Sequence, residues 1–476
     1  MHSIFIDNGW HSSQSGESIA LINPSTGEQI RVICRGNAKD ANKAIESSRR
    51  AFDKVWSGYT PAARGRLLHK LAMKVLDNKN ELTRLESEDC GKPLDQAAAD
   101  VNALARYFEF YSGACDKFHG ETIPYENNYT VFTWREPYGV TVHIVPWNYP
   151  MQIFGRCVAA ALAAGNTCVI KPSEDACQSL LMVVELARDV GFPDGVINLV
   201  TGYGHEVGND LVSHADVDYV SFTGSPKVGA LVTKAAAENH TPVTLELGGK
   251  SPQIIFHDAD LTKAIPAVIK GFTQNSGQTC SAGTRLLVHE SIYEDVLSVL
   301  SVEVKKLIVG NASKNLDCGP LIRKSQLDRV KSFMSKAKDD GLSIAAVAQI
   351  DNEASANGFF FPPTVIRDVP YDNILAQDEV FGPVLAVMSF KSEEEAVTVA
   401  NATSYGLVAG VWTADGSRQM RMARKIKSGQ VFINNYGAAG GIELPFGGYK
   451  SSGHGREKGF EAMYSFTQLK TVAIKY

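Results

Sequence analysis

The chain has 476 residues, 44% hydrophobic and 21% charged, with a formal net charge of −5. Such a length predicts two or three domains rather than one compact core. The dispersed lysines and arginines and the negative net charge argue against a nucleic-acid surface. Apolar runs such as "CVAAALAAG" (157–165) are shorter than the ~20 residues of a membrane span, and "MHSIFIDNGWHSS" lacks a signal peptide's pattern. A cytoplasmic protein without a membrane partner is expected.

The cysteines indicate reduced thiols rather than a metal site or disulfides. There are eight, scattered along the chain, with no Cys-x-x-Cys pair and no histidine at zinc-ligand spacing. In a chain of this length that distribution is typical of a reducing compartment. Cys157 and Cys168 lie in an alanine-rich apolar stretch, where inert packing is the expected role.

Three helical segments are predicted between residues 40 and 116. Helical periodicity runs through residues 40–56 and 61–91, and Gly91 and Pro93 end the second segment. A further helix is predicted over residues 97–116.

From about residue 140, short apolar strands alternate with helices. Strands are predicted at 140–146, 167–173, 195–202 and 217–224. A second alternating region from about residue 250 has candidate strands at 250–256, 284–290, 382–390, 406–413 and 428–434. This spacing predicts an α/β fold with right-handed crossovers and parallel sheets covered on both faces.

Two amphipathic strands have no obvious partner in these regions. They are "NYTVFTWREPYG" (128–139) and "YSFTQLKTVAIKY" (464–476). They predict a hairpin and tail that serve oligomer contacts, although two ordinary edge strands would explain the pattern as well.

Glycine-rich turns follow several of the predicted strands. "TGYGHEVGND" is one residue longer than the dinucleotide fingerprint, and "FTGSPKVG" places Ser225 where a helix N-terminus could hold a phosphate. "LGGKS" is not a P-loop, because Thr244 stands where the first glycine is required. These residues fit a dinucleotide crevice, but ordinary strand-to-helix turns fit them equally well.

Cys280 lies among small and polar residues in "NSGQTCSAGTR" (275–285), which favours a presented thiol over a packed one. A nucleophilic cysteine needs help to become a thiolate. No histidine stands in an evident position to help: His143 lies inside a predicted strand and His454 in a glycine-rich loop.

Two other polar residues could complete a site. Glu246 ends a predicted strand before a Gly-Gly turn, so apolar surroundings would raise its pKa toward that of a general base. Asn148, between two prolines in "PWNYP", is a rigid amide suited to an oxyanion hole. A solvated turn glutamate and a turn-capping asparagine are the alternatives.

Taken in order, seven motifs resemble the NAD(P)-dependent aldehyde dehydrogenase superfamily over nearly the whole chain. They are "PWNYP" (146–150), "GNTCVIKPSE" (165–174), "FTGS" (222–225), "LELGGKSP" (245–252), "GQTC" (277–280), "EVFGPV" (379–384) and "PFGGYKSSGHGRE" (445–457). The resemblance implies a Rossmann-like NAD-binding domain from residues 1–120 and 140–249 and an α/β catalytic domain from 250–450. It also implies oligomerisation strands at 121–139 and 464–476, in a homodimer or homotetramer.

The resemblance also assigns residues by position. Cys280 matches the nucleophile, Glu246 the general base, and Asn148 the amide that holds the oxyanion with the Cys280 N–H. Lys171 and Glu174 match contacts to the adenosine ribose, Ser225 to the pyrophosphate, Gly204 to the adenine region, and Glu379 to the nicotinamide ribose with Phe381 beside it. The remaining cofactor residues that the resemblance implies are Ile144, Val145, Pro146, Trp147, Ser173, Val228, Leu247 and Gly248. Glu174 would repel a 2′-phosphate, which favours NAD over NADP.

The implied reaction is oxidation of an aldehyde to a carboxylic acid through a Cys280 thiohemiacetal and thioester, hydrolysed by water that Glu246 activates. A CoA-acylating semialdehyde dehydrogenase, an NAD-independent cysteine hydrolase and a non-catalytic protein of the same fold are the alternatives. Glu246 argues against the first, since the similar CoA-acylating members lack it. The intact set of Cys280, Glu246 and Asn148 argues against the non-catalytic protein.

The sequence departs from the family at Arg156 and Cys157, where many members have Trp-Lys. The missing lysine removes a proton-relay partner for Glu246 through Glu457, and the missing tryptophan disfavours trimethylammonium aldehydes. The expected tunnel residues suit an uncharged aldehyde, with Arg285 or Arg156 as the candidates for binding a substrate carboxylate. Those tunnel residues are Tyr149, Gln152, Ile153, Phe154 and Tyr436.

Overall fold

A computed structural model describes residues 2–476 and shows an α/β protein built on two large sheets and three small ones. The strands are β1 (Ile4–Ile6), β2 (Gly9–His11), β3 (Ser18–Ile22), β4 (Gln29–Cys34), β5 (Thr122–Ile123), β6 (Tyr129–Pro137), β7 (Val140–Val145), β8 (Thr167–Pro172), β9 (Ile197–Leu199), β10 (Tyr219–Thr223), β11 (Val243–Glu246), β12 (Pro252–Ile255), β13 (Arg285–His289), β14 (Ile308–Val309), β15 (Ser343–Val347), β16 (Gln349–Ile350), β17 (Thr364–Arg367), β18 (Val384–Phe390), β19 (Val408–Trp412), β20 (Gln430–Ile433), β21 (Gly453–His454) and β22 (Thr467–Lys475).

The α-helices lie between these strands and cover the faces of the large sheets. They are α1 (Ala38–Lys54), α2 (Pro61–Asp77), α3 (Lys79–Cys90), α4 (Leu94–Ala114), α5 (Pro150–Ala164), α6 (Gln178–Asp189), α7 (Asn209–Val212), α8 (Pro226–Ala237), α9 (Leu261–Thr273), α10 (Tyr293–Val304), α11 (Lys324–Asp339), α12 (Ile374–Gln377), α13 (Glu393–Asn401), α14 (Gly416–Lys425) and α15 (Glu461–Ser465). Over residues 2–476, none of these helices combines the length and apolar character needed to cross a membrane.

The first large sheet has the order β2-β1-β9-β8-β7-β10-β11-β21. Its central strands, from β9 to β11, are parallel, and the chain reverses direction across the sheet between β7 and β10. Such a switch point leaves a crevice at the carboxyl ends of the two strands, where α/β proteins bind ligands. Strands β8 and β10 are buried along their whole length, as expected for a sheet covered on both faces.

The second large sheet has the order β15-β17-β18-β13-β12-β19-β20, parallel except for β15 at one edge. Its core is made largely of aliphatic side chains from β13, β17 and β18, packed against helices such as α10 and α11. Strand β21 comes from the C-terminal part of the chain but pairs with β11 of the first sheet. The chain therefore crosses back between the sheets after the second one is complete.

A three-stranded sheet joins the two amphipathic strands that lacked a partner in the sequence. β6 and β22 pair antiparallel along their full nine-residue length, and β5 adds to the other side of β6. Trp134, Leu469 and Ile474 remain at least half exposed on this sheet. Trp134 and Ile474 lie on one face of the sheet and Leu469 on the other, and exposed apolar side chains of this kind are consistent with the predicted oligomer contacts, which stay a prediction.

Two details differ from the sequence expectations. The helix predicted over 61–91 is two helices, because the chain leaves helical geometry at Asn78 between α2 and α3. The C-terminal segment opens with the short helix α15 before β22 begins at Thr467. The first N–H groups of α15 donate to the carbonyls of Lys458 and Phe460, as in a helix, and not to a neighbouring strand.

Candidate functional site

The predicted site residues converge where the two large sheets face each other. Asn148 follows β7, and Glu246 is the last residue of β11, so both stand at the carboxyl edge of the first sheet. Cys280 lies in the loop between α9 and β13 of the second sheet. The structure therefore brings together three residues that lie as much as 132 positions apart in the chain (148 to 280).

The loop before Cys280 has a tightly determined backbone. Asn275, Ser276 and Gly277 all have positive φ values. A Cβ at Gly277 would lie 2.3 Å from Gly382, and one at Gly249 would lie 2.4 Å from the Cys280 carbonyl oxygen. These close approaches explain why small residues surround the cysteine.

Asn148 is held against the same loop. Its side-chain amide donates to the Gln278 carbonyl at 3.1 Å, and the Asn275 amide donates to the Asn148 carbonyl at 2.9 Å. Tyr149 and Thr279 share a hydroxyl hydrogen bond of 3.0 Å beside them. The Asn148 side chain is thus buried, and it is fixed to Gln278, two residues before Cys280 in the cysteine loop.

Cys280 is half-buried. The small and polar residues around it in the sequence had predicted a more exposed side chain. Cys280 packs with Tyr436 against an apolar cluster that contains Leu407 and Phe446. Burial raises the pKa of the thiol to about 12, and the positive charge of Arg156 opposes that rise. The thiol is therefore the resting form at neutral pH, and it needs a base when it reacts.

Glu246 is buried, and neither of its carboxylate oxygens has a hydrogen-bond partner among residues 2–476. Burial raises its pKa well above the ordinary value, Glu457 raises it further, and Arg156 lowers it. The buried position at the end of β11 therefore raises the pKa of Glu246, in the direction that the sequence predicted. A buried carboxyl group with no protein partner is available to a substrate or a water molecule.

Arg156 stands at the position where many family members have tryptophan, and Cys157 at the position of the lysine. The Arg156 guanidinium forms a buried ion pair with Glu457, donates to the Thr223 hydroxyl at 3.3 Å, and stands 5.0 Å from the centre of the Phe446 ring. Glu457 also accepts a hydrogen bond from Ser221 at 3.0 Å. Because its charge is paired, Arg156 is not the free arginine at the tunnel mouth that the sequence offered.

Arg285 is not a substrate residue either. Its buried guanidinium donates to the backbone carbonyls of Lys250, Val399 and Ala400, at 2.8–2.9 Å. It ties β13 to the end of α13, so the expectation that it could bind a substrate carboxylate is wrong. Phe154 is also fully buried, against Phe108, and does not line an open tunnel.

Removing the Arg156 side of the buried pair should destabilise the protein strongly. Arg156→Met leaves the Glu457 carboxylate without its counter-ion in a buried site, and we expect a loss of about 3–5 kcal/mol in unfolding free energy. The double variant Arg156→Met with Glu457→Gln should recover most of it. Urea denaturation followed by tryptophan fluorescence measures both changes. A single variant as stable as the parent would show that the pair contributes nothing.

The crevice at the switch point carries the predicted cofactor residues. Lys171 and Glu174 lie side by side at the end of β8, with their charged groups 3.1 Å apart. The Lys171 stem passes close to Gly208, at the end of the 204–208 turn that begins with Gly204. Ser225 caps α8, its hydroxyl accepting from the Val228 N–H at 3.3 Å, and Val228 is exposed.

The nicotinamide end of the predicted groove is also assembled. Trp147 and Phe381 pack edge to face, with ring centres 5.4 Å apart. Glu379 accepts from the Gly249 N–H at 2.9 Å, and burial raises its pKa to about 7. The other predicted cofactor residues continue the ends of β7, β8 and β11, and are Ile144, Val145, Pro146, Ser173, Leu247 and Gly248.

These residues suit a dinucleotide in their chemistry. Lys171 supplies donors and Glu174 acceptors for a pair of hydroxyls, and the N-terminus of the twelve-residue helix α8 suits a pyrophosphate. Tyr149 and Gln152 differ from expectation, since their polar groups bond to Thr279 and to Asp100 at 2.6 Å. Sequence reasoning missed the buried Gln278, whose fixed side chain braces the cysteine loop.

Comparison with known proteins shows which family the chain belongs to. The model of the aldehyde dehydrogenase family matches residues 10–472. The yeast (Saccharomyces cerevisiae) protein "Aldehyde dehydrogenase [NAD(P)+] 2" is 40% identical, over 99% of this chain and 94% of its own length.

Two solved structures share the fold and confirm it. One, described as a "Putative Aldehyde Dehydrogenase" from Burkholderia cenocepacia, is 57% identical with a TM-score of 0.98, over 99% of both chains. The other, the NAD+ complex of an aldehyde dehydrogenase from Bacillus cereus, is 39% identical with a TM-score of 0.96, over 100% of this chain and 96% of the other. The chain belongs to the aldehyde dehydrogenase family.

Proposed function

We propose that this chain oxidises an aldehyde to a carboxylic acid with NAD, using Cys280 as nucleophile, Glu246 as general base and Asn148 as oxyanion donor. The observation that carries the proposal is their convergence. A half-buried thiol, an amide fixed to the thiol's own loop and a buried carboxyl group without a protein partner meet where the two sheets face each other.

The first task of these residues is to form a bond between the Cys280 sulfur and the aldehyde carbon. With a thiol pKa of about 12, the Cys280 proton must pass to water as the sulfur attacks, and the nearby Arg156 charge favours the thiolate. The Asn148 amide, which donates to the Gln278 carbonyl, is placed to turn toward the new alkoxide beside the Cys280 N–H.

The second task is hydrolysis of the Cys280 thioester. The raised pKa of Glu246 makes its ionised form a stronger base than an exposed glutamate, and no protein hydrogen bond competes for it. It can accept a proton from water as the water attacks the thioester carbon. The carboxylic acid then leaves, and the Cys280 thiol is restored.

NAD would supply the acceptor for the hydrogen that leaves the substrate carbon. Lys171 and Glu174 would hold its adenosine ribose, the N-terminus of α8 with Ser225 its pyrophosphate, and Glu379 its nicotinamide ribose. The carboxylate of Glu174 in that position favours NAD over NADP, since a 2′-phosphate would meet like charge. Trp147 and Phe381 would flank the groove.

The alternatives are less well supported by the geometry. A CoA-acylating enzyme has no use for a buried, partner-free carboxyl group at Glu246. A cysteine hydrolase of the Cys-His type would need a histidine beside Cys280, and the buried His143, whose pKa is lowered to about 3 by burial, lies inside β7 instead.

We also propose a cytoplasmic homodimer or homotetramer. The paired strands β6 and β22 leave Trp134, Leu469 and Ile474 exposed, which suits burial against a second copy. The division into an NAD-binding domain, a catalytic domain and oligomerisation strands stays a prediction.

The purified protein with NAD and a panel of aliphatic and aromatic aldehydes should show rising NADH absorbance at 340 nm, with the matching acid as product. Omitting either NAD or the aldehyde should give no signal. Release of acid without NADH would favour the cysteine hydrolase, and a strict requirement for CoA would favour the acylating enzyme.

A further inference from the structure

Lys458 is a charged residue that belongs neither to the seven motifs nor to the expected tunnel residues. It follows Glu457 directly and is half-buried, with a φ of 65°. A non-glycine residue in the left-handed region is held there by its surroundings, and such strain concentrates at binding sites. Its ammonium donates to the Gly440 carbonyl at 3.3 Å and lies 5.6 Å from the centre of the Phe446 ring.

The Lys458 charge is not neutralised by the protein. Across residues 2–476, no carboxylate lies within 4.0 Å of its ammonium group. The acidic residues near it already have partners, since Glu443 is paired with Arg106 and Glu457 with Arg156. A half-buried ammonium group that has only a carbonyl and an aromatic ring as neighbours would gain from a bound anion.

Phe446 connects this charge to the predicted nucleophile. The ring belongs to the cluster on which Cys280 and Tyr436 pack, and it contacts two cations, Arg156 and Lys458. Lys458 and the reacting thiol therefore lie against the same apolar cluster, close enough for Cys280 to affect the pKa of Lys458. Beside it, there is open space at Gly437 and Gly440, because a Cβ on either residue would meet nothing within 4 Å.

We propose that Lys458 binds a carboxylate at the far end of the substrate, so that the enzyme's substrate class is an anionic aldehyde, a carboxylate-bearing semialdehyde. The proposal rests on the function proposed above and names the substrate of that same site. It replaces the expectation of an uncharged substrate, which was based on the largely apolar and aromatic tunnel residues. The product is then a dicarboxylate.

The surrounding charges agree with an anion in this position. Arg156 faces the same ring, and burial raises the pKa of Glu246 well above its ordinary value. An ammonium-bearing aldehyde would meet Lys458 with like charge, in keeping with the absence of the family's tryptophan at position 156.

The test compares two aldehydes of equal chain length, 4-oxobutanoate and butanal, by NADH formation. The measured quantity is the ratio of their kcat/KM values. We expect the parent enzyme to prefer 4-oxobutanoate, and Lys458→Met to lower that preference roughly 10- to 100-fold, mainly through KM. Lys458→Arg keeps the charge and should retain most of the preference, as should the surface control Lys263→Met.

A second measurement uses pH. Burial and Arg156 lower the pKa of Lys458 to about 8, while Cys280, Glu246 and Glu443 act to raise it. The ammonium group is charged below that value and neutral above it, so the preference should fall as pH rises through about 8. Titration of Cys280 and Glu246 affects both aldehydes and cancels in the ratio.

The outcomes separate this inference from the proposed function. If butanal is oxidised as well as 4-oxobutanoate, or if Lys458→Met leaves the ratio unchanged, the role of Lys458 is wrong while the enzyme remains an aldehyde dehydrogenase. If neither aldehyde nor any of the panel yields NADH, the proposed function fails and this inference falls with it.

Discussion

Cys280→Ala is expected to reduce NADH formation on the order of 10⁴-fold or more, because the side chain that forms the bond to the substrate carbon is gone. The loss should appear in single-turnover experiments as well as in steady state, since the first chemical step is affected. NAD binding, measured by quenching of tryptophan fluorescence, should persist, because the proposed cofactor contacts lie at the ends of β7, β8 and β11 and at α8.

A matched control separates this effect from the loss of any thiol. Cys168 lies fully buried in β8, and burial raises the pKa of its thiol to about 12. Cys168→Ala should keep activity within a few-fold of the parent, with a modest loss of stability from the deleted atom. Substantial NADH formation by Cys280→Ala, or its abolition by Cys168→Ala, would show that the nucleophile is assigned to the wrong cysteine.

Glu246→Gln is expected to leave a rapid initial burst of NADH while steady-state turnover falls about 10²- to 10⁴-fold. The amide keeps the size of the side chain but cannot accept a proton from water, so the thioester forms and is not hydrolysed. Stopped-flow absorbance at 340 nm gives the burst, and mass spectrometry of the quenched protein should show an acyl group on Cys280.

A second buried glutamate provides the comparison. Glu379 also has a raised pKa, about 7, but accepts from the Gly249 N–H at the proposed nicotinamide end of the groove. Glu379→Gln should lower the burst and the turnover together, since its proposed role precedes hydrolysis. Equal loss of burst and turnover in Glu246→Gln would mean that Glu246 acts before the thioester and is not the hydrolytic base.

Much of the fold follows from local pattern. The apolar strands from residue 140 onward, and the helices between them, were predictable because each is a short run bounded by glycine or proline and covered on both faces. The break at Asn78 was not predictable, because the apolar pattern continues through it and the chain leaves the helix over a single residue. The pairing of β6 with β22 joins segments more than 300 residues apart, beyond any local signal.

Some features of the site were likewise predictable from local sequence, and others were not. Cys280, Glu246 and Asn148 could be named from motifs because each sits in a short segment whose small or rigid neighbours are themselves distinctive. Arg156 was a candidate for binding a substrate carboxylate, and its pairing with Glu457 appears only when α5 meets the segment after β21. Lys458 was overlooked because a lysine in a turn is usually solvated.

The amino-acid sequence was sufficient to establish the α/β architecture, the family and the residues proposed for bond formation, hydrolysis and cofactor binding, because these depend on periodicity and on short motifs. The charges around the substrate could be assigned only from the folded chain. Whether an arginine or lysine is free depends on which carboxylates the fold brings within ion-pair distance. Arg285 is bound to backbone carbonyls and Arg156 to Glu457, while Lys458 has no counter-ion among the described residues.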